Sequence, residues 1–132
     1  MTLEHESLTE GIIGAAIEVH RALGPGFLES IYEAALSVEL RARGITFGRQ
    51  VDVRIFYKSV EVGRHRLDLF VSGAIVARLK AIKNLQDVHF ALVKSYLRAV
   101  GCAHGLLLFF AKPTLEIKRV RVASSFPGFL AS

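Results

Sequence analysis

Two short strand-like segments joined by a turn of small residues decide the fold: Arg64-His-Arg-Leu-Asp-Leu-Phe-Val-Ser-Gly-Ala-Ile-Val-Ala-Arg-Leu-Lys-Ala81. Alternating or continuous apolar residues over such lengths are typical of β-strands. The glycine-containing turn at residues 72–74 predicts that segments 64–71 and 75–81 pair as an antiparallel hairpin. With a three-residue turn, Asp68 lies opposite Arg78 and Arg66 lies opposite Lys80. We therefore expect one acid among four bases on one sheet face: Arg64, Arg66, Arg78 and Lys80.

The pattern on both sides of the hairpin predicts a mixed α/β domain with helices flanking a central sheet. Apolar residues at three- and four-residue spacing indicate helices, and alternation indicates strands. The first helix opens on the capping-box pattern from Ser7 to Glu10. In chain order, the predicted elements are helices 7–23 and 27–43, strands 51–57, 64–71 and 75–81, helix 87–100, and strands 106–110 and 114–122.

Length and composition favour one soluble domain. The chain has 132 residues, of which 52% are hydrophobic, enough for one substantial core. We expect a single domain over residues 1–123 and an irregular tail over 124–132. No segment approaches the roughly 20 apolar residues of a membrane span. The acidic start of the chain is unlike a secretory signal, so we expect a cytoplasmic protein with no membrane partner.

The net charge of +5 is distributed unevenly along the chain. Residues 1–44 hold seven acids and three bases, whereas residues 45–132 hold five acids and fourteen bases. A basic surface in the second part is compatible with a phosphate-bearing partner such as DNA or RNA, and equally with a solvated surface that binds nothing.

The acid among bases at the hairpin has two interpretations. It is either a phosphate-binding or former metal-dependent phosphodiesterase site, or a solvated, salt-bridged face. The five histidines lack the close spacing of metal ligands. His20, on the apolar face of the first helix, is predicted to be a hydrogen-bonded structural residue.

One segment resembles a known family signature. The stretch Val19-His-Arg-Ala-Leu-Gly-Pro-Gly-Phe-Leu-Glu-Ser-Ile-Tyr32 is similar to that of the GxxExxY family, a branch of the PD-(D/E)xK nuclease-like superfamily, with Gly26, Glu29 and Tyr32 in the naming positions. The likeness covers about residues 7–122, through segments 50–53, 67–69, 79–81, 96–97, 105–107 and 118–120. It implies a nuclease-like core of mixed sheet and flanking helices.

The resemblance also implies site residues. In that superfamily, acids on two neighbouring strands hold Mg²⁺, and a lysine two residues beyond the second acid positions the attacking water. Hard divalent cations bind carboxylate oxygens, which explains the residue types. By position, Asp68 matches the first acid, Lys80 matches the lysine, and Glu29 is an additional acid of the site.

Three positions depart from the family pattern. Arg78 stands where the second acid belongs, Leu92 where the helix carries glutamine, and Phe109 where the late strand carries asparagine. Replacing an acid by arginine changes the local charge by two units, so we expect Arg78 to pair with Asp68 and to oppose a metal. The resemblance therefore implies an ancestral Mg²⁺ site that has degenerated, with no cofactor now expected.

Three functional hypotheses follow. The first is an inactive nuclease-fold domain that still contacts nucleic acid through Arg64, Arg66, Arg78 and Lys80. The second is a self-associating structural or engineered module. It draws on the apolar circumference of helix 87–100, which is either sandwiched in the core or covered by another subunit, and on Phe126, Phe129 and Leu130 in the tail. The third is a divergent Mg²⁺-dependent nuclease.

Overall fold

The computed structural model describes residues 3–82 and 87–122, and its elements follow the predicted order. None of the described helices has the length and hydropathy of a membrane-spanning segment. The predicted tail, residues 124–132, lies outside the described residues. The elements are α1 Leu3–Leu23, α2 Glu29–Ala42, β1 Phe47–Tyr57, β2 Val60–Val71, β3 Ile75–Lys80, α3 Asp87–Val100, β4 His104–Phe109 and β5 Glu116–Arg121.

A five-stranded mixed sheet forms the centre of the fold. Its strands lie in the order β1-β2-β3-β4-β5, and every neighbouring pair is antiparallel except β3 and β4. Parallel neighbours need a crossover connection, which α3 supplies. The predicted α/β class, a mixed sheet flanked by helices, is therefore confirmed.

The two sheet faces bury separate apolar clusters. The first cluster joins α1 and α2 to the sheet through residues such as Ile12, Leu36 and Leu108. The second joins α3 to the other face through Val93, Leu97 and Leu107. Burial on both faces explains why β4 has a continuous apolar run instead of an alternating one.

The central hairpin has the predicted three-residue turn but a shorter ladder than expected. Val71 pairs with Ile75 across the turn, where Ser72 and Gly73 adopt positive φ angles of 51° and 65°. The β2–β3 pairing stops at Leu69 and Ala77. The expected pairs of Asp68 with Arg78 and of Arg66 with Lys80 are therefore wrong, because the two strands separate before reaching them.

Near Gln50, β1 and β2 both turn over, so that their inward-facing side chains change from one face of the sheet to the other. Val51 and Leu67 pack in the cluster beneath α3, whereas Phe47 and Leu69 pack in the cluster beneath α1 and α2. Residues two apart in a regular strand share a face, so both strands turn over between these positions. Gln50 has a φ angle of +50° at this point.

This exchange corrects the prediction of one basic sheet face. Arg66 lies opposite Asp52 on β1, on the side away from Leu67 and therefore away from α3. Arg64, two residues earlier, shares that side. Arg78 instead contacts Tyr96 of α3. The four bases thus do not form a single surface.

One further prediction needs correction. The capping box at Ser7 is wrong, because α1 already includes Leu3 and carries Ser7 in its interior. The sheet of the same chain covers part of the apolar circumference of α3, whereas Val88 is 60% exposed. Self-association through helix 87–100 stays a prediction. Large exposed apolar side chains instead lie at the start and on one side of α2: Phe27, Leu28, Ile31 and Val38.

Replacing Gly105 with alanine is expected to destabilise the fold. A Cβ there would lie 2.8 Å from Cγ1 of Val93 and 3.2 Å from the carbonyl oxygen of Val76, so α3 and β3 would have to shift. Overpacking of this kind costs about 1–3 kcal/mol in the free energy of unfolding, which urea denaturation measures. Gly63→Ala is the matched control, because its Cβ meets no atom within 4 Å. Equal losses in the two variants would contradict the close packing at Gly105.

Candidate functional site

The candidate site lies where β2 and β3 separate. Beyond Ala77, the edge of β3 that faced β2 has no strand partner. Alternate amides of a strand point to the same edge, and buried amides require acceptors. Side-chain carboxylates supply them: Asp68 Oδ2 accepts from the Leu79 amide at 2.9 Å, and Glu29 Oε2 accepts from the Ala81 amide at 3.1 Å.

The environment of Asp68 opposes its ionisation. Burial raises the pKa of the Asp68 carboxyl above its ordinary value of 3.8, and the nearby carboxylates of Glu33 and Glu29 add to the increase. The hydrogen bond from Leu79 and the Arg78 guanidinium act in the opposite direction but are outweighed. Asp68 therefore holds its proton to a higher pH than an exposed aspartate.

The loop before α2 positions Glu29. The hydroxyl of buried Tyr32 donates to the Gly24 carbonyl at 2.6 Å and accepts from the Phe27 amide at 3.2 Å. Gly24 and Gly26 take positive φ angles of 73° and 108°, which glycine adopts at low cost. The Gly-Glu-Tyr pattern is thus a structural unit, in which tyrosine closes the loop and the glutamate reaches β3.

Lys80 lies between the two amides that bind the carboxylates. Its Nζ is 3.7 Å from Glu29 Oε2, and its side chain is 18% exposed. This geometry places Asp68, Glu29 and Lys80 around the end of β3. Lys80 therefore balances the charge of Glu29. Asp68 has no ion pair among the described residues.

Glu33 is a further acid at the site that the sequence reasoning missed. It is buried, and its carboxylate accepts from Arg49 Nε at 3.0 Å and from Gln50 Nε2 at 2.8 Å. It follows Glu29 by one helical turn, so helical spacing could have placed both on the same side of α2. Its bond to Gln50 ties α2 to the place where β1 and β2 exchange faces.

Arg78 does not form the expected ion pair with Asp68. Instead, Nη1 donates to the Tyr96 hydroxyl at 3.1 Å, and the guanidinium lies 5.6 Å from the centre of the Tyr96 ring. Nε is buried and has no hydrogen-bond acceptor among the described residues. The predicted pairing is therefore wrong in detail, although the guanidinium is close enough to lower the pKa of Asp68.

A histidine lies on the same side of the site. The His65 ring centre is 4.4 Å from that of Tyr96, and Nε2 is 3.1 Å from Ser95 Oγ. Burial lowers the pKa of His65 below 6.5, and the Arg78 guanidinium lowers it further. His65 therefore stays neutral down to a lower pH than an exposed histidine does.

The other two departures from the family pattern lie in the apolar core. Phe109 is 1% exposed in the cluster beneath α3, and Leu92 packs against the same cluster. Phe109 lies beside Lys80 in the parallel β3–β4 pair. The two positions at which the resemblance implies polar side chains thus carry apolar ones, and Phe109 lies next to the lysine.

These residues do not fit a magnesium centre. Asp68 and Glu29 each commit one carboxylate oxygen to a backbone amide, that of Leu79 or of Ala81, which leaves fewer oxygens for a hard cation. Across the described residues, no three histidine, cysteine or acidic side chains converge to hold a metal. Arg78 adds a permanent cation.

The remaining predicted nucleic-acid contacts lie away from this site. Beyond the exchange of faces, β1 and β2 continue as a two-stranded ribbon. There, Arg66 Nε bonds Asp52 at 3.0 Å, and Arg64 Nε bonds Glu61 at 3.0 Å. The side chains of both pairs are more than one third exposed, so each arginine can leave its acidic partner for another anion at little cost in free energy. Arg64 and Arg66 form a separate basic patch on the ribbon.

His20 takes the structural role predicted for it. It is 6% exposed, and Nε2 donates to the Lys112 carbonyl at 2.8 Å. This bond ties the end of α1 to the loop between β4 and β5.

Comparison with known proteins supports the superfamily resemblance. The family model described as the PD-(D/E)XK nuclease superfamily matches residues 6–120. No curated protein and no solved structure gives a significant match. The narrower GxxExxY assignment stays a prediction.

Replacing Arg78 with methionine is expected to raise the pKa of Asp68 further. The variant keeps much of the burial that raises this pKa and removes the guanidinium that lowers it. A carbon-detected NMR titration of the aspartate carboxyl groups measures the change. Arg66→Met is the matched control, because Arg66 pairs with Asp52 instead. An equal increase in both variants, or none in Arg78→Met, would contradict the placement of Arg78 beside Asp68.

Proposed function

Since the chain belongs to the PD-(D/E)XK nuclease superfamily, we propose that it binds a nucleic-acid backbone without metal-dependent cleavage. The observation that carries this proposal is the half-buried Arg78 guanidinium, which forms no ion pair with an acid of the described residues and stands where the resemblance implies the second acid. A phosphate group is an anionic partner of the kind that this guanidinium lacks.

The loss of cleavage rests on the donor set. Asp68 and Glu29 each commit one carboxylate oxygen to a backbone amide of β3. The acid that would complete a magnesium site is an arginine, and its charge repels a divalent cation. Phosphodiester hydrolysis needs an activated water and neutralisation of added negative charge. Arg78 and Lys80 can neutralise the added negative charge, but they do not activate a water.

Binding of a phosphate rests on the geometry of Arg78. Tyr96 holds one nitrogen of the guanidinium, which fixes its plane and reduces the entropy lost on binding. The positive charge of the guanidinium has no acidic partner among the described residues, and guanidinium groups bind phosphate oxygens through charge-assisted hydrogen bonds. Lys80 lies two residues along the same strand and is paired only loosely, at 3.7 Å from Glu29.

The ribbon extends this proposed surface. Arg64 and Arg66 have side-chain exposures of 59% and 64%, and their acidic partners are also exposed. Phosphates can replace those partners with little desolvation cost. We assign Arg78 the specific contact and the ribbon the weaker, salt-sensitive contacts with neighbouring phosphates.

Fluorescence anisotropy with labelled DNA and RNA tests this proposal. We expect binding at low salt that is the same with Mg²⁺ and with a chelator, and that weakens steeply as salt is added. Arg78→Met should weaken it about tenfold, since a charge-assisted hydrogen bond is lost. Arg54→Met, on the ribbon with an ion pair of 3.9 Å, is the matched control and should have a smaller effect.

Two outcomes would overturn the proposal. The first is an absence of binding at low salt, or an equal loss in the two variants, which removes the role of Arg78. The second is cleavage of plasmid or single-stranded DNA with Mg²⁺ or Mn²⁺ that disappears in Asp68→Ala. That result would favour the divergent nuclease hypothesis instead.

A further inference from the structure

A second charged site lies at the opposite end of β3 from Arg78 and Lys80. A cavity of about 110 Å³ opens between the first turns of α1, the start of β4 and the end of β5. Ile75, Leu106 and Val120 contribute apolar surface to it, and all three are at most 2% exposed. Polar side chains from α1, β4 and β5 complete its lining, so three separate elements build one concavity.

Basic side chains converge at this cavity. His104 and Arg121 lie directly opposite each other in the β4–β5 pair, so their side chains share a face. His5 on α1 packs against His104, with ring centres 5.4 Å apart. Arg119 lies two residues before Arg121 and therefore points to the same side.

Glu6 is the one acid among the described residues that line the cavity, and it is already paired. Glu6 Oε2 lies 3.3 Å from Nη1 of Arg119. Arg121 has no ion pair with any acid in residues 3–82 or 87–122 whose side chain is described. Burial lowers the pKa of His104, and the charges of Arg121 and His5 lower it further. The lining thus places the ring nitrogens of His5 and His104 beside the Arg121 guanidinium, whose charge an anion would balance.

The size of the cavity restricts what fits. Its volume is several times the ~30 Å³ that one water molecule occupies in the liquid, and well below the roughly 300 Å³ of a pocket for a drug-sized ligand. An oxyanion on a body of a few heavy atoms fits both the volume and the apolar surface.

We propose that this cavity binds a small carboxylate or phosphate compound. The oxyanion accepts hydrogen bonds from His5, His104 and Arg121, and the body of the ligand lies against Ile75 and Leu106. This site is independent of the backbone contact proposed for Arg78, because it lies at the other end of β3 and its polar groups come from α1, β4 and β5.

Titration of the full chain with inorganic phosphate and with acetate, at ionic strength matched with sodium chloride, tests the site. We expect saturable NMR shifts in the His5 and His104 rings and in the Gly105 and Leu106 amides. The two probes distinguish a phosphate site from a carboxylate site. Arg121→Met should weaken binding at least about tenfold, since a charged hydrogen-bond donor is lost. Arg64→Met, a similarly exposed arginine on the ribbon, is the control and should bind normally.

A second variant, Glu6→Gln, is expected to tighten anion binding and serves if Arg121→Met is unstable. Glu6→Gln removes the one negative charge at the cavity and releases Arg119, so it should tighten phosphate or acetate binding. Shifts that do not saturate, an equal loss in Arg64→Met, or unchanged binding in Glu6→Gln would overturn the proposal.

Discussion

The structure of the candidate site depends on the unpaired edge of β3 beyond Ala77. Two amides at this edge, those of Leu79 and Ala81, lie where β2 has turned away, and buried amides without acceptors cost about 1–3 kcal/mol each. Asp68 and Glu29 satisfy them. The carboxylates therefore have a structural role that does not require a metal, and this role is compatible with an arginine where the resemblance implies the second acid.

The same constraint determines the electrostatics. Because the Leu79 amide holds Asp68 at a fixed place in a partly buried gap, the carboxyl cannot move into solvent, and burial raises its pKa. Arg78 lowers the pKa from a distance while its hydrogen bond goes to Tyr96. The guanidinium is thus held by α3 instead of by the acid, and its charge has no acidic partner among the described residues. A direct ion pair with Asp68 would have balanced this charge.

Local patterns predicted the elements well and the site less well. Alternation and helical spacing gave the order of helices and strands, and the small-residue turn gave the hairpin, because these features depend on neighbouring residues. Resemblance placed Asp68, Glu29 and Lys80 together. The separation of β2 from β3 was not predictable from either strand, since it depends on the exchange of faces at Gln50, where a non-glycine residue adopts a positive φ. That exchange moved Arg64 and Arg66 away from Arg78. Glu33 was missed because its partners, Arg49 and Gln50, lie on a strand distant in sequence.

The substitution of a guanidinium for a metal ion is tested most directly with Mn²⁺, which broadens the NMR signals of nearby amides. In the unmodified chain, the Leu79 and Ala81 amides should broaden no more than amides on the exposed ribbon. In Arg78→Glu, a third carboxylate replaces the cation, and the same two amides should broaden selectively and saturably as Mn²⁺ is added. Selective, saturable broadening at Leu79 and Ala81 in the unmodified chain would show that a metal binds beside Arg78, and would contradict the substitution.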